Sequence, residues 1–230
     1  MRARLGLARR VCLTTIVLLI TGSLTPTAQD PPRPPIDELV AALQVKYDSV
    51  RDFSADFKHT YAGGVLRTTL TEYGTVHVKK PGMMRWDYTT PEEKLFVSDG
   101  TTLYSYIPLD RQVFVGQVPP EDRASTPVLF LTGKGRLSRD FTVLYDDVFE
   151  APPDTWIVRL TPRVDDADYE WLTLAVDRVS LSITQLIATD FQGGVSTHTF
   201  TSLKENAGLS DRLFTFEIPR GTEVVTADIF

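Results

Sequence analysis

The three histidines are the side chains of this 230-residue sequence best suited to chemistry, and none of them stands in a catalytic pattern. His59, His77 and His198 lie in three separate segments. None belongs to a His-Glu-x-x-His motif or has a recognisable nucleophile beside it. We therefore expect each histidine to occupy a surface or a face of a sheet, and we predict no catalytic residue.

Motifs for metal or phosphate binding are incomplete. The Gly-Lys-Gly-Arg run at 133–136 lacks the spacing of a phosphate-binding loop and fits the end of a helix. Asp165, Asp166 and Asp168 lack the order of a calcium loop and fit a solvated hairpin tip. The only cysteine, Cys12, cannot supply a cysteine-rich zinc site. We expect neither a metal nor a cofactor.

The charge balance argues against a nucleic-acid partner. The chain has 24 basic and 30 acidic residues and a formal charge of -6. Neutralising phosphates requires clustered Lys and Arg, which such a balance does not favour. We expect no nucleic-acid binding.

The first 28 residues have the layout of a secretory signal peptide. Arginines precede an apolar run at 11–20, and small residues follow up to Ala28. The apolar run is short for a membrane span. Cleavage would remove Cys12 and leave a chain without disulfides, in which 20 basic residues face 30 acidic ones. We expect a bacterial protein that is soluble in the periplasm.

The mature chain divides into a tether and one domain. Residues 29–35 are rich in proline and favour neither helix nor strand. We expect the domain to cover 36–230. It opens with apolar residues at a spacing of three or four over 36–50, with acids in the first turn, which predicts an amphipathic helix.

The rest of the domain is dominated by segments typical of strands. They are rich in Val, Thr, Phe, Tyr and Leu and are separated by turn signals. The predicted strands are 53–61, 65–79, 83–88, 94–98, 102–107, 111–118, 154–162, 170–177, 181–190, 195–203 and 213–218. Short connections predict an antiparallel sheet, and a sheet this wide must curl or close. A capping serine, a proline and a glycine stop predict one short apolar helix at 125–133.

Alternation along the strands predicts one apolar face. At 83–88, Met84, Trp86 and Tyr88 share a face, and the other face is mixed. The same alternation groups Leu172, Leu174 and Val176, and also Phe214, Phe216 and Ile218. These side chains form either a packed core or the lining of a cavity.

Several motifs together resemble the periplasmic outer-membrane lipoprotein carrier family. The most specific part is the run 76–88 with Pro91 and the Phe-Val-Ser-Asp-Gly segment starting at Phe96. Thr126-Pro127 with its apolar helix, 47–57 and 214–222 extend the resemblance over 36–226. It implies a mainly β fold, namely an open, incomplete antiparallel β-barrel with an N-terminal helix and a helical lid over a hydrophobic cavity.

The resemblance also implies a site. The cavity would bind acyl chains and be lined by Phe57, Met84, Trp86, Phe96, Tyr104, Val128, Leu129 and Leu131. The basic residue that locks the lid in the family matches Lys80, where the best-known members have Arg. Lysine is a point charge without the planar fork of arginine, so the lid would be held less tightly. We expect Lys80 to reach carbonyls near Leu131 and Thr132.

The function implied is that of a monomeric lipoprotein chaperone. Its partners would be acylated lipoproteins, an inner-membrane ABC-type lipoprotein-releasing complex and an outer-membrane lipoprotein receptor. Two alternatives stay open. One is a periplasmic sensor or binding module for lipid or lipoprotein with the same fold. The other is a hydrolase acting on lipid or glycan, against which the lack of a catalytic motif argues.

Overall fold

The structure is a computed structural model. It describes residues 33–63, 68–118, 131–133, 135–149, 152–163 and 169–226. None of the helices within these ranges is long and apolar enough to cross a membrane.

Twelve strands and three short or medium helices make up the described chain. The helices are α1 (Ile36–Ser49), α2 (Leu137–Asp140) and a 3₁₀ helix (Asp211–Phe214). The strands are β1 (Asp52–Gly63), β2 (Thr68–Lys79), β3 (Met83–Thr90), β4 (Lys94–Asp99), β5 (Thr102–Ile107), β6 (Gln112–Gln117), β7 (Phe141–Tyr145), β8 (Thr155–Pro162), β9 (Trp171–Asp177), β10 (Ile183–Thr189), β11 (Val195–Glu205) and β12 (Glu223–Thr226).

All twelve strands belong to one open sheet. The order is β12-β6-β5-β4-β3-β2-β1-β11-β10-β9-β8-β7, with β12 and β7 at the edges. Every neighbouring pair is antiparallel except β12 and β6, which run parallel. The sheet confirms the predicted incomplete antiparallel barrel, because neither edge pairs with the other.

The helix α1 covers the concave face of this sheet. Asp37 and Glu38 lie in its first turn and Lys46 in its last, which suits the helix dipole. Leu39, Val40 and Leu43 form its buried stripe, as the predicted amphipathic pattern requires. The helix ends where Val50 takes an extended conformation and leads into β1.

One predicted strand is wrong, and two strands of the structure were not predicted. Residues 213–218 do not form a strand, because the chain there makes a 3₁₀ helix capped by Ser210 and then an irregular segment. The 3₁₀ helix packs on the convex face of β3 and β4 instead of pairing with a neighbouring strand. The strands β7 and β12 were not predicted, since both are short edge strands. Most of the predicted helix at 125–133 lies outside the described residues.

Candidate functional site

One wall of the concave face consists of apolar residues from β1 to β4. Phe57, Met84 and Trp86 are each 3% exposed. The rings of Phe57 and Trp86 meet edge to face with 5.0 Å between centroids, an arrangement that aromatic pairs favour. Phe96 lies opposite Trp86 on β4 and packs partly buried against the same core. Four of the predicted cavity residues therefore share one face.

A glycine makes room for the aromatic rings of this wall. A Cβ at Gly74 of β2 would lie 2.7 Å from the ring of Phe57 and 2.1 Å from the main-chain oxygen of Asp87. Neither distance is compatible with a side chain, so β2 can approach β3 only with glycine there.

The opposite wall comes from β7 to β11. Its core residues on β9 lie at alternate positions, although Thr173 and Ala175 between them are buried as well. The core residues of the whole wall include Phe141, Val158, Leu160, Leu172, Leu174, Val176, Leu186 and Phe200. Leu172, Leu174 and Val176 thus face inward together, as the alternation predicts. The side chains of α1 fill the space between the two walls.

A small cavity remains where the end of α1 meets β1, β10 and β11. Its apolar lining includes Val50, Phe53, Leu131, Phe200 and Leu203. The volume of the cavity is about 30 Å³. That space suits one or two waters and not an acyl chain. Among the described residues, this cavity is therefore too small for an acyl chain.

Lys80 holds the mouth of this cavity to the end of α1. Its ammonium donates a hydrogen bond to the main-chain oxygen of Tyr47 and lies 4.9 Å from the centroid of the Tyr47 ring. The main-chain N–H of Lys80 donates to the oxygen of Arg51 at 2.8 Å. The cation thus lies where the negative end of the helix dipole favours it. This partner differs from the carbonyls near Leu131 and Thr132 that we expected.

The stem of Lys80 also packs against Gly133, the last residue of the segment 125–133 that we predicted as a lid and call the lid segment. A Cβ at Gly133 would lie 2.6 Å from Cδ and 2.8 Å from Cε of Lys80. Gly133 has a φ of +82°, which glycine adopts without strain. The N–H of Gly82 donates to the oxygen of Thr132 at 3.4 Å. Lys80 therefore lies between α1 and the lid segment and contacts both.

A second tie joins α1 to β11. The ammonium of Lys46 pairs with the carboxylate of Glu205, and each side chain is about one quarter exposed. The hydroxyl of Ser182 donates to the other carboxylate oxygen of Glu205 at 3.3 Å. Lys46, Glu205 and Ser182 all line the small cavity. Opening this side of the mouth would separate the ion pair.

A polar cluster interrupts the apolar concave face further along β1. The carboxylate of Glu72 contacts His59 Nδ1 at 3.0 Å and accepts from Lys94 Nζ at 2.5 Å. His59 Nε2 lies 2.8 Å from the hydroxyl of Ser196. The ring of His198 stacks on that of His59 with 4.3 Å between centroids. We name His59, Glu72, Lys94, Ser196 and His198 the histidine cluster.

Burial shifts the pKa of several groups around the concave face. Burial, and secondly the charge of His59, lowers the pKa of His198 from 6.5 to about 3. Burial also lowers the pKa of Lys80, against the opposing effect of Asp48. Burial raises the pKa values of the Tyr47 and Tyr88 hydroxyls, with acidic neighbours adding to it. His198 is therefore neutral at physiological pH.

The remaining predicted site residues fall in different places. Leu131 is 1% exposed and lines the small cavity. Val128 and Leu129 lie outside the described residues. Tyr104 is a correction: its ring is on the convex face, 5.4 Å from the ring of Phe216. Its neighbour Leu103 is the residue of β5 that faces the core, because side chains alternate along a strand.

Sequence patterns did not indicate the Lys46–Glu205 pair, nor that His59 and His198 would lie together. Lys46 and Glu205 are 159 positions apart, so no local pattern links them. His59 and His198 become neighbours through the register of β1 with β11. Only the pairing of β1 with β11 brings the two histidines together, and a single sequence does not show which strands pair. Within the described ranges, no group of three His, Cys, Asp or Glu is arranged to hold a metal ion.

Comparisons with known proteins agree with this architecture. The family model described as Outer membrane lipoprotein carrier protein LolA matches residues 48–217. The Outer-membrane lipoprotein carrier protein of Pseudoalteromonas translucida (strain TAC 125) is 29% identical over 210 residues, which cover 90% of this chain and 94% of that protein. The protein of the same name from Cupriavidus taiwanensis is 29% identical over 163 residues, or 71% of this chain and 74% of its own.

A solved structure shows the same fold at low sequence identity. An uncharacterized conserved protein from Thermus thermophilus has a TM-score of 0.52 and 11% identity, over 84% of this chain and 100% of that one. The family match covers most of the chain and includes α1's last residues and every strand from β1 to β11. The chain belongs to the outer membrane lipoprotein carrier protein LolA family.

Proposed function

We propose that the protein binds the acyl chains of lipoproteins on its concave face and carries them from the inner to the outer membrane. The proposal gives it the role of a chaperone and assigns it no catalytic residue. Support comes from the names of its relatives and from the apolar concave face.

The observation that carries the proposal is the pairing of an apolar face with a cover held by polar side chains. Both walls are apolar, and burying hydrocarbon against them would supply about 0.8 kcal/mol per methylene. At the mouth, α1 is tied by Lys80 and by the Lys46–Glu205 pair. Ties of this kind contribute little free energy each, so a ligand with long chains can displace them.

Ligand binding in this proposal requires a change of conformation. The present cavity is too small for an acyl chain. Movement of α1 and the lid segment 125–133 away from the sheet would expose Phe53, Phe200 and Leu203 at the mouth. The hydrocarbon of the ligand would then replace the side chains of α1 as the cover of the concave face.

The proposal also includes a location and partners. Residues 1–28 would direct export, 29–35 would form a tether, and 36–230 would form a single carrier domain in the periplasm. An inner-membrane ABC-type complex would load the protein, and an outer-membrane receptor would accept the lipoprotein. The carrier would act as a monomer.

Mass spectrometry of molecules that co-purify with the protein from envelope extracts tests the proposal. We expect proteins with an acylated N-terminal cysteine. Leu203→Glu places a charge in the small cavity, and Lys204→Glu places the same residue on the exposed side of the strand. The first variant should lose at least nine tenths of the acylated proteins and the second should keep them. Equal recovery with both, or no acylated protein with the parent, would refute the proposal.

A further inference from the structure

The histidine cluster places polar groups in the middle of a face that is otherwise apolar. The register sets His59 opposite Glu72 on one side and opposite His198 on the other. Phe57 precedes the cluster on β1 and contacts His198 with 6.1 Å between ring centroids. Lys94, at the outer limit, is about one quarter exposed. Along β1 the face therefore passes from apolar to polar and then toward solvent.

The charged groups of the cluster are already paired. Glu72 has a side chain that is only 5% exposed, and it is contacted by both His59 and Lys94. The second nitrogen of His59 contacts Ser196. An added ion would have to break these contacts, so the cluster does not favour a charged ligand.

Two neutral donors lie beside these pairs, and the buried one has no acceptor in the described part of the chain. The indole nitrogen of Trp86 is buried without a hydrogen-bond partner in the described part of the chain. The imidazole of His198 is half-buried beside it, and its ring centroid lies 5.2 Å from that of Trp86. Its lowered pKa keeps it neutral, with one N–H donor. A buried donor without an acceptor costs free energy, so the site favours a ligand that supplies one.

The missing partner must be a neutral acceptor on an apolar molecule. Ester and amide carbonyls meet this description, because they accept hydrogen bonds, carry no charge and join acyl chains to a larger molecule. We propose that Trp86 and His198 form a subsite that binds the carbonyl groups linking acyl chains to the cargo. This assignment rests on the proposed function and adds an orientation: the chains lie on the apolar face and the linkage lies at the histidine cluster.

Two synthetic lipopeptides test the subsite. One carries three acyl chains in ester and amide linkage on its N-terminal cysteine, and the other has ether linkages in place of the esters. Loss of one hydrogen bond to a buried donor corresponds to about tenfold in affinity. We expect the parent protein to bind the ester form about tenfold more tightly. Trp86→Phe and His198→Phe each should reduce that ratio to about threefold, since two donors of similar effect share it and contribute a factor of about three each.

Trp156→Phe is the matched control. Trp156 also has a buried indole nitrogen without a described partner, but it lies on β8, away from the cluster. This variant should keep the tenfold ratio. Equal binding of both lipopeptides by the parent, or a ratio that neither cluster variant changes, would overturn the subsite while leaving the carrier function intact. If the parent binds neither lipopeptide, the proposed function fails and the subsite fails with it.

Discussion

The ammonium of Lys80 donates its hydrogen bond to the main-chain oxygen of Tyr47, at the end of the helix that covers the concave face. Lys80 follows β2 directly, so this bond connects the rim of the sheet to its cover. The stem of the same residue contacts the end of the lid segment at Gly133. One side chain therefore contacts both parts that, in the proposed function, move before an acyl chain enters.

Lys80→Leu should destabilise the closed state by about 0.5 to 2 kcal/mol, the range for a charge at a helix terminus and its hydrogen bond. The variant should slow the release of lipoprotein more than its binding, because return of the carrier to a closed, empty state favours release. Lys80→Arg should strengthen closure through its planar fork. Transfer of the same loaded lipoprotein to an acceptor would be compared for the three proteins. Equal transfer by the three proteins would show that Lys80 has no part in closure and is only a charge at the rim of the sheet.

Gly133→Ala should displace the stem of Lys80 and so weaken its bond to Tyr47. The new methyl group would lie 2.6 Å from Lys80 Cδ. Gly193→Ala is the control, since Gly193 also has a positive φ but nothing within 4 Å of the added methyl. Both variants strain the backbone, because alanine disfavours a positive φ. Only the first should accelerate amide hydrogen exchange in α1, by about five- to tenfold. Similar exchange rates in both variants would show that the contact between Gly133 and Lys80 does not help to hold α1 in place.

The Lys46–Glu205 pair should couple α1 to β11 by about 1 kcal/mol. The pair is partly buried, so solvent screens it less than an exposed pair. Unfolding free energies of Lys46→Met, Glu205→Gln and the double variant would give the coupling from a double-mutant cycle. A coupling free energy near zero would show that the pair does not hold the helix.

Stability should fall as the pH is lowered from about 6.5, because of His198. Its pKa is about 3 in the folded protein and 6.5 in the ordinary state. Between these values the unfolded chain binds one more proton, which favours unfolding by up to about 1.4 kcal/mol per pH unit. His198→Phe should remove this contribution. Urea unfolding at pH 7.5, 6 and 5 would give the free energy of unfolding of both proteins. We expect it to depend less steeply on pH in the variant, and the same dependence in both proteins would contradict the prediction.

Alternation within single strands was the part of the fold most accessible from the sequence. The inward set Met84, Trp86 and Tyr88 holds in the structure because one face of β3 packs on the core. The same reasoning failed at 213–218. Alternating burial there reflects packing of Phe214 and Phe216 on the convex face, which requires no hydrogen-bonded neighbour.

Contacts between elements that are distant in sequence could not be predicted from sequence patterns. Lys80 was identified as important from a resemblance, and its charge does lie at a helix terminus, but at α1 and not at the lid. The position of α1 over the sheet depends on packing of Leu39 and Leu43 with several strands at once. Single-strand patterns contain no information about such packing, and for the same reason Tyr104 was placed on the wrong face.

Photo-crosslinking from two adjacent positions of β11 shows whether acyl chains bind on the concave face. Phe200 lines the cavity on the concave face, and Thr201 is exposed on the other side of the strand. A photoreactive amino acid would replace each residue in turn, and the protein would be irradiated with a triacylated lipopeptide. We expect crosslinks to the acyl chains from position 200 and none from position 201. Crosslinks from 201 alone, or from neither position while the lipopeptide is bound, would contradict binding on the concave face.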